Sequence, residues 1–158
     1  PNWRLDGLGR TTGNKMLANL AAGTILIALT VIIHTIGLIA VTRVMDWFVS
    51  TFRWHGRRSR VLAMITVVLG LFAVMTVEIW LWALAYLLTG AFGNFETALY
   101  FSTVAFSTLG FGDVIAAQEW RLFAAMEGVN GFLLIGWSTA YLVSAGTRIG
   151  PFKTGEHF

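Results

Sequence analysis

The residues with the most distinctive chemistry lie at positions 107–113, where the sequence reads STLGFGD. Two glycines flank one phenylalanine, and a single acid follows them. If Gly110 and Gly112 take backbone angles that other residues avoid, the carbonyl groups of successive residues can point in the same direction. A row of aligned carbonyl oxygens can replace the water around a dehydrated cation. The segment therefore predicts a cation site built from backbone carbonyl groups.

The chain that must position this segment is unusually apolar. Of its 158 residues, 56% are hydrophobic and 12% are charged, whereas soluble domains contain about 25% charged residues. This composition is typical of a membrane protein. The net charge of +3 is small and scattered, so no nucleic-acid partner is expected. The absence of cysteine excludes disulfides and cysteine-ligated metal sites.

Three segments are long and apolar enough to cross a bilayer, which takes about 20 residues of helix. They are residues 17–42, about 61–89 and about 120–145, with an N-terminal arm at residues 1–16 and a cytoplasmic tail at residues 147–158. A cleaved signal peptide is the alternative interpretation of the first segment. Its apolar run is longer than is usual for such a peptide, and no small-residue cleavage site follows, which favours a retained helix.

Residues 43–60 form a basic, aromatic segment between the first two spans, with one acid, Asp46. Its basic residues are Arg43, Arg53, Arg57, Arg58 and Arg60. Basic residues favour the cytoplasmic side of a membrane, and tryptophans favour the interface. The segment is either a positive-inside loop or an amphipathic helix on the inner membrane surface. Both interpretations predict a multi-pass protein of the cell (plasma or inner) membrane, with its N-terminus outside and its C-terminus in the cytoplasm.

Residues 94–107, which precede the glycines, are apolar enough to form a short helix. Phe95 or Glu96 would begin this helix, and Asn94 is a suitable N-cap. The helix is too short to cross the membrane, so the chain must enter and return to the same side. Non-helical backbone at membrane depth survives only where protein buries it or where it lines water. The sequence therefore predicts a re-entrant helix followed by a functional loop.

This arrangement resembles the pore module of tetrameric potassium channels, which consists of an outer helix, a re-entrant pore helix, a filter and an inner helix. The resemblance covers residues 61–146 and is greatest to small bacterial ion-channel proteins with one extra N-terminal transmembrane helix. The motif is weak alone but strong after a Ser-Thr pair and a short apolar helix, between two spans. The residues matching the family signature Thr-Val/Ile-Gly-Tyr/Phe-Gly-Asp are Thr108, Leu109, Gly110, Phe111, Gly112 and Asp113.

The resemblance implies an all-α membrane protein with three transmembrane helices, a re-entrant pore helix and a selectivity-filter loop, assembled as a homotetramer in the lipid bilayer. It implies that permeant K⁺ binds to the Thr108 hydroxyl and to four backbone carbonyl groups, and that Gly112 completes the filter. The residues with these carbonyl groups are Thr108, Leu109, Gly110 and Phe111. No cofactor is expected.

The function expected from this resemblance is passive, potassium-selective conduction through a TLGFGD filter. One alternative is a weakly selective cation channel with the same fold. Another is a non-conducting, channel-like membrane subunit. Nothing in the sequence resembles a set of nucleophile, base and acid, so enzyme activity has little support.

The inner helix carries a glycine, Gly131, at the position where the family often has a gating hinge. The alternative is that Gly131 allows close helix packing, as small residues often do in membranes. On the same register, the resemblance implies that Phe132, Ile135 and Thr139 line the inner cavity. A mainly apolar cavity can also gate by dewetting.

The pore helix departs from the family at two positions. In relatives, one pore-helix tryptophan commonly braces the filter acid, and the next meets the hydroxyl of the filter tyrosine. These positions are Tyr100 and Phe101 here. The resemblance implies that the Tyr100 hydroxyl donates to Asp113 and that Phe111 meets Phe101 by apolar contact. Alternatively, Tyr100 points to the membrane interface.

Two acids and one histidine lie inside the predicted spans, where ionisable groups are expensive and usually functional. Glu127 is predicted to brace the filter from behind, where Val104 cannot, or else to form an ordinary hydrogen bond to a neighbouring helix. The sequence assigns no definite role to Glu78. His34 is interpreted as a helix-packing histidine in preference to a proton sensor.

Overall fold

The structure, a computed structural model, describes residues 3–51 and 57–149. These residues form four α-helices and one short 3₁₀ helix, and no β-strand is present among them. The predicted all-α class is confirmed. The helices are α1 (Trp3–Thr51), α2 (Arg57–Leu88), α3 (Phe95–Phe106) and α4 (Arg121–Ile149), and the 3₁₀ helix (Gln118–Trp120) leads into α4.

Two of the described helices are long and apolar enough, by length and composition, to cross a membrane. They are α1 over Met16–Trp47 and α2 over Arg60–Leu88. The third predicted span coincides with α4, which is long enough but contains buried polar residues, among them Glu127 and Asn130. These residues lower its hydropathy, and membrane crossing by α4 stays a prediction.

The first helix is longer than the predicted span at residues 17–42, because it continues without a break to Thr51. Of the predicted interfacial segment, residues 43–51 belong to the end of α1 and residues 57–60 to the start of α2. Residues 1–2, 52–56 and 150–158 lie outside the described residues. They include part of the predicted interfacial segment and most of the predicted tail.

The connection between α2 and α3 is fixed by caps at both helix ends. Gly90 has a φ of +76° directly after α2, a left-handed conformation that glycine adopts without strain. The N–H of Ala91 donates to the Tyr86 carbonyl over 3.0 Å. At the start of α3, the Asn94 Oδ1 accepts from the Thr97 N–H over 2.8 Å. This confirms the predicted N-cap and the predicted start at Phe95.

The chain divides into two compact units, of which the first comprises Pro1–Thr30 and Ile79–Phe132. Its core is a cluster of aromatic rings. Tyr86 is fully buried and meets the rings of Phe101 and Phe123 edge-on, with 5.2 Å between centroids in each pair. Such edge-to-face pairs stabilise a fold by about 0.5–1.5 kcal/mol beyond the area that they bury.

Polar bonds connect α1 to the later elements of this first unit. The Asn19 Nδ2 donates to the carbonyl oxygen of Glu119 in the 3₁₀ helix over 2.6 Å. Farther along α1, Asn130 of α4 donates its side-chain N–H to the Thr30 hydroxyl over 2.9 Å, and both side chains are buried. Hydrogen bonds of this kind hold helices together in membranes, where apolar packing alone gives little specificity.

The second unit comprises Val31–Glu78 and Leu133–Phe158. Within it, α1 and α2 approach closely at glycines. A Cβ placed on Gly37 would lie 2.5 Å from a methyl carbon of Val74, and one on Gly70 would lie 2.6 Å from a methyl carbon of Val41. Small residues permit this tight packing of helices. The hydrophobic core cluster of this unit contains Leu38, Val41, Met45, Ala63, Val67, Leu71 and Ala145.

Candidate functional site

The short helix α3 determines where the glycine segment begins. Its 12 residues extend about 18 Å at 1.5 Å per residue, which is less than the roughly 30 Å of a bilayer core. At its end, the N–H of Thr108 donates to the Ala105 carbonyl over 3.0 Å, and the N–H of Leu109 donates to the Val104 carbonyl over 3.1 Å. These bonds use N–H groups and leave the carbonyl groups of the segment available.

The backbone of the glycine segment alternates in conformation. Thr108, Gly110 and Gly112 have φ values of +60°, +59° and +77°, whereas Leu109 and Phe111 do not have positive φ. The conformations predicted for the two glycines are confirmed. Reversing the sign of φ at every second residue turns successive carbonyl groups toward the same side of the strand, the arrangement that a carbonyl-lined ion site requires.

The carbonyl groups of residues 108–111 have no competing partners inside the described part of the chain. Among the described residues, no hydrogen bond ends on any of these four oxygens. The side chains are also uncovered, with Leu109 59% and Phe111 67% exposed. The segment therefore presents four successive carbonyl oxygens, which are ligands suited to a hard cation.

Asp113, at the end of the segment, accepts the hydrogen bond predicted from Tyr100. The Tyr100 hydroxyl donates to the Asp113 carboxylate over 2.6 Å, and Asp113 also accepts from the N–H of Val114. The bond lowers the pKa of Asp113 below its ordinary 3.8 and raises the pKa of Tyr100 above 10.0. Because the pKa of Asp113 is lowered, the stabilisation is complete above pH 3.8 and disappears as the pH falls through the lowered pKa.

We expect that replacing Tyr100 with phenylalanine speeds inactivation or loosens ion selectivity, because the charge-assisted bond to Asp113 is lost. Replacing Asp113 with asparagine should have a similar effect, and the double variant should be no worse than either single variant. Reversal potentials and the decay of current in the three variants measure this. Tyr141→Phe is the control, since it removes a hydroxyl that bonds Thr42 elsewhere. Strictly additive effects would contradict the bracing role.

The apolar contact predicted between Phe111 and Phe101 is not found within the chain. Phe101 instead packs against the rings of Phe92 and Tyr86, at centroid distances of 4.8 and 5.2 Å. Within the part of the chain that the structure describes, no ring contact joins Phe101 to Phe111. The physical reason is that Phe101 is buried against α2 while the side chain of Phe111 projects from the glycine segment.

Glu127 of α4 lies directly behind the short helix, at the centre of a hydrogen-bond network. Its Oε1 lies 2.5 Å from the Ser102 hydroxyl of α3, and its Oε2 accepts from the Tyr86 hydroxyl of α2 over 2.6 Å. The Ser102 hydroxyl also lies 2.9 Å from the Ile79 carbonyl oxygen. Glu127, Ser102 and Tyr86 are each 0% exposed. One carboxyl group thus connects three helices.

We expect Glu127→Gln to preserve assembly, because an amide can still bond both hydroxyls, but to alter inactivation or the stability of the open state. Glu127→Val should do worse. It strands the buried Tyr86 hydroxyl, at a cost of about 1–3 kcal/mol, whereas the Ser102 hydroxyl keeps the Ile79 carbonyl oxygen as a partner. Thermal dissociation of the assembled protein and the decay of current measure these effects. Wild-type behaviour in both variants would exclude a bracing role for Glu127.

Gly131 of α4 lies against the end of the short helix. A Cβ at this position would be 2.1 Å from the Phe106 carbonyl oxygen and 2.8 Å from the Phe106 Cα. This close approach supports the packing interpretation of Gly131. The hinge interpretation stays a prediction, and α4 runs unbroken through this position.

The three residues predicted to line a cavity also lie on α4. Phe132 is 67% exposed, Thr139 is exposed, and Ile135 is half-buried. The Thr139 hydroxyl donates to the Ile135 carbonyl over 2.9 Å, so it is satisfied within its own helix. The lining role of all three residues stays a prediction.

Sequence reasoning missed two features of the site. It expected left-handed backbone only at the glycines, yet Thr108, a β-branched residue, also has a positive φ. Such a conformation costs about 1–3 kcal/mol and clusters at functional sites. It also missed Ser102 and Tyr86 as the partners of Glu127. The sequence features that could have identified them are a serine in a mainly apolar helix and a tyrosine near the end of a predicted span.

A comparison with known protein families finds a match over the part of the chain that contains this site. Residues 72–148 match the model of a protein family described as ion channel. The matched range begins in α2, includes α3 and the glycine segment, and ends in α4. The comparisons with curated proteins and with solved structures find no match.

Proposed function

We propose that this chain, whose residues 72–148 match the model of a family described as ion channel, forms a potassium-selective channel that passes K⁺ passively across the membrane. Residues 108–113 are its filter. The permeant ion binds to the carbonyl oxygens of residues 108–111 and to the Thr108 hydroxyl. The observation that carries this proposal is the alternating backbone at Thr108, Gly110 and Gly112, with four carbonyl groups left available beside it.

Four copies of the chain are needed to complete the proposed filter. A dehydrated cation must be surrounded by oxygen ligands, but one strand supplies oxygens from one side only. Four strands around a rotation axis supply a ring of four carbonyl oxygens at each level. The exposure of Leu109 and Phe111 in the isolated chain supports such an arrangement, since neighbouring subunits would cover their side chains.

The short helix α3 also contributes electrostatically to the proposed filter. The C-terminal end of a helix carries a partial negative charge, equivalent to about half an electron. The filter directly follows this end of α3. Cations at the start of the filter therefore lie near the partial negative charge at the end of α3. Four such helices, one from each subunit, increase this electrostatic attraction.

We propose the orientation that the basic residues favour, with the N-terminus outside and the C-terminus in the cytoplasm. Arg43 and Arg60 are exposed near the connection between α1 and α2, and Arg148 is exposed near the end of α4. This orientation places the last turns of α4 at the cytoplasmic end of the pathway. Phe132, Ile135 and Thr139 then line the inner cavity.

Flux from reconstituted vesicles tests the proposal. Vesicles loaded with K⁺ should release K⁺ when an uncoupler allows charge balance, and vesicles loaded with Na⁺ should not release Na⁺. Native mass spectrometry should give four copies of the chain. Equal release of both ions would support a weakly selective channel instead, and no release of either would support a non-conducting subunit.

A further inference from the structure

His34 of α1 and Glu78 of α2 form a buried pair inside the second unit. The His34 Nδ1 lies 2.9 Å from the Glu78 Oε1, and both side chains are 0% exposed. The indole ring of Trp137 on α4 lies beside the imidazole, with 5.2 Å between ring centroids. Ionisable residues in membrane helices are costly and usually functional. The proposed filter uses neither of these two residues.

The side chains of His34 and Glu78 together carry no net charge when one proton is shared between them in their hydrogen bond. Either an imidazolium donates to a carboxylate, or a carboxylic acid donates to a neutral imidazole. The two forms contain the same number of protons, so the proton can lie nearer either partner without changing the charge. Adding a proton leaves one buried positive charge, and removing one leaves a buried negative charge. Either change is strongly unfavourable without a compensating partner.

No other charged group of the described helices compensates the pair. Among the described residues, His34 is the only side chain that bonds to Glu78. In the same part of the chain, the pair forms no other salt bridge, and the His34 Nε2, the Glu78 Oε2 and the Ser138 Oγ of α4 have no hydrogen-bond partner. The other titratable residues of this unit whose side chains the structure describes on α1, α2 and α4 are Arg43, Asp46, Arg60, Tyr141 and Arg148, and the Tyr141 hydroxyl is bonded to Thr42.

We propose that His34 and Glu78 form a proton-binding site that couples the additional helix α1 to the pore helices. The pair lies one turn from the close contact between Gly37 and Val74, which holds α1 against α2. A change in the charge of the His34–Glu78 pair therefore acts beside a tightly packed contact between α1 and α2. Glu78 is also followed directly by Ile79, whose carbonyl oxygen lies 2.9 Å from the Ser102 hydroxyl of α3.

The site predicts a response to pH that depends on both residues. We expect K⁺ flux from reconstituted vesicles, and the melting temperature of the purified protein, to change with pH, because gaining or losing a proton leaves an uncompensated buried charge at this helix contact. Glu78→Gln keeps a hydrogen-bonding group beside His34 but cannot ionise, so it should flatten both responses. His34→Gln should do the same, and the double variant should add nothing further.

Thr42→Val is the matched control. It removes a neutral hydrogen bond between α1 and α4, the bond to Tyr141, without removing an ionisable side chain of the pair. This variant should keep the wild-type dependence on pH. The proposal is overturned if the wild-type protein shows no response to pH, if both single variants of the pair respond as the wild type does, or if Thr42→Val flattens the response as they do.

Nuclear magnetic resonance gives a test that depends neither on conduction nor on the melting temperatures of the His34 and Glu78 variants. The chain contains three histidines, so His55→Gln and His157→Gln leave His34 as the only one. We expect the ¹⁵N shifts of its imidazole to titrate with pH, and the titration to move when Glu78→Gln is added. A titration that Glu78→Gln leaves in place overturns the proposal, even if the channel conducts as expected.

Discussion

Replacing Gly110 with alanine is expected to abolish conduction. Gly110 has a φ of +59°, and a residue with a Cβ in this left-handed region is destabilised by roughly 1–2 kcal/mol. The obstacle is the backbone conformation, because no atom of the described chain lies within 4 Å of a Cβ placed there. The neighbouring Thr108 is already strained. We expect the strand to relax and its carbonyl groups to turn away from the ion path in every subunit.

Gly90→Ala is the matched control for this prediction. Gly90 also has a left-handed backbone, with a φ of +76°, and a Cβ placed on it would also meet open space, but it lies between α2 and α3. Both variants therefore carry the same kind of backbone strain, and they differ in whether the strain lies in the filter. Vesicle flux should be lost in Gly110→Ala and retained in Gly90→Ala. Conduction by Gly110→Ala would show that the conformation of this residue is dispensable.

Replacing Gly131 with alanine is expected to disrupt the assembled protein. A methyl group at this position would lie 2.1 Å from the Phe106 carbonyl oxygen, which belongs to backbone and cannot rotate away. Forcing such a contact costs roughly 1–3 kcal/mol in a well-packed core. The end of α3, and with it the start of the proposed filter, must move. We expect a lower temperature of thermal dissociation together with reduced selectivity.

Gly136→Ala tests whether this effect is specific to the contact. Gly136 lies on the same helix, and no atom of the described chain lies within 4 Å of a Cβ placed there. This variant should assemble and conduct as the wild type does. If Gly131 were a hinge and not a packing residue, Gly131→Ala would assemble with unchanged thermal stability and would differ in open probability alone. That result would contradict the packing interpretation.

Much of the architecture follows from local patterns that the sequence displays. The uncharged run of residues 17–42 predicts a long helix, and Asn94 before an apolar segment predicts where α3 begins. The two glycines predict left-handed backbone, since only glycine adopts it without strain. The bond between Tyr100 and Asp113 is predictable because their spacing matches a known family pattern. Each of these inferences depends on residues close together in the sequence.

The features that sequence reasoning missed depend on contacts between distant residues. His34 and Glu78 are 44 positions apart, and neither residue identifies the other as its partner. Ser102 and Tyr86 meet Glu127 only because three helices converge. These features therefore depend on how the helices pack, and they cannot be predicted from the residue pattern of a single segment.

The most direct test of the proposed function is the reversal potential of single channels with K⁺ on one side of the bilayer and Na⁺ on the other. For a monovalent ion, each tenfold difference in permeability displaces this potential by about 59 mV. A potassium-selective filter at residues 108–113 predicts a displacement well beyond this value, with the sign that K⁺ permeation requires. A reversal potential near zero would contradict potassium selectivity.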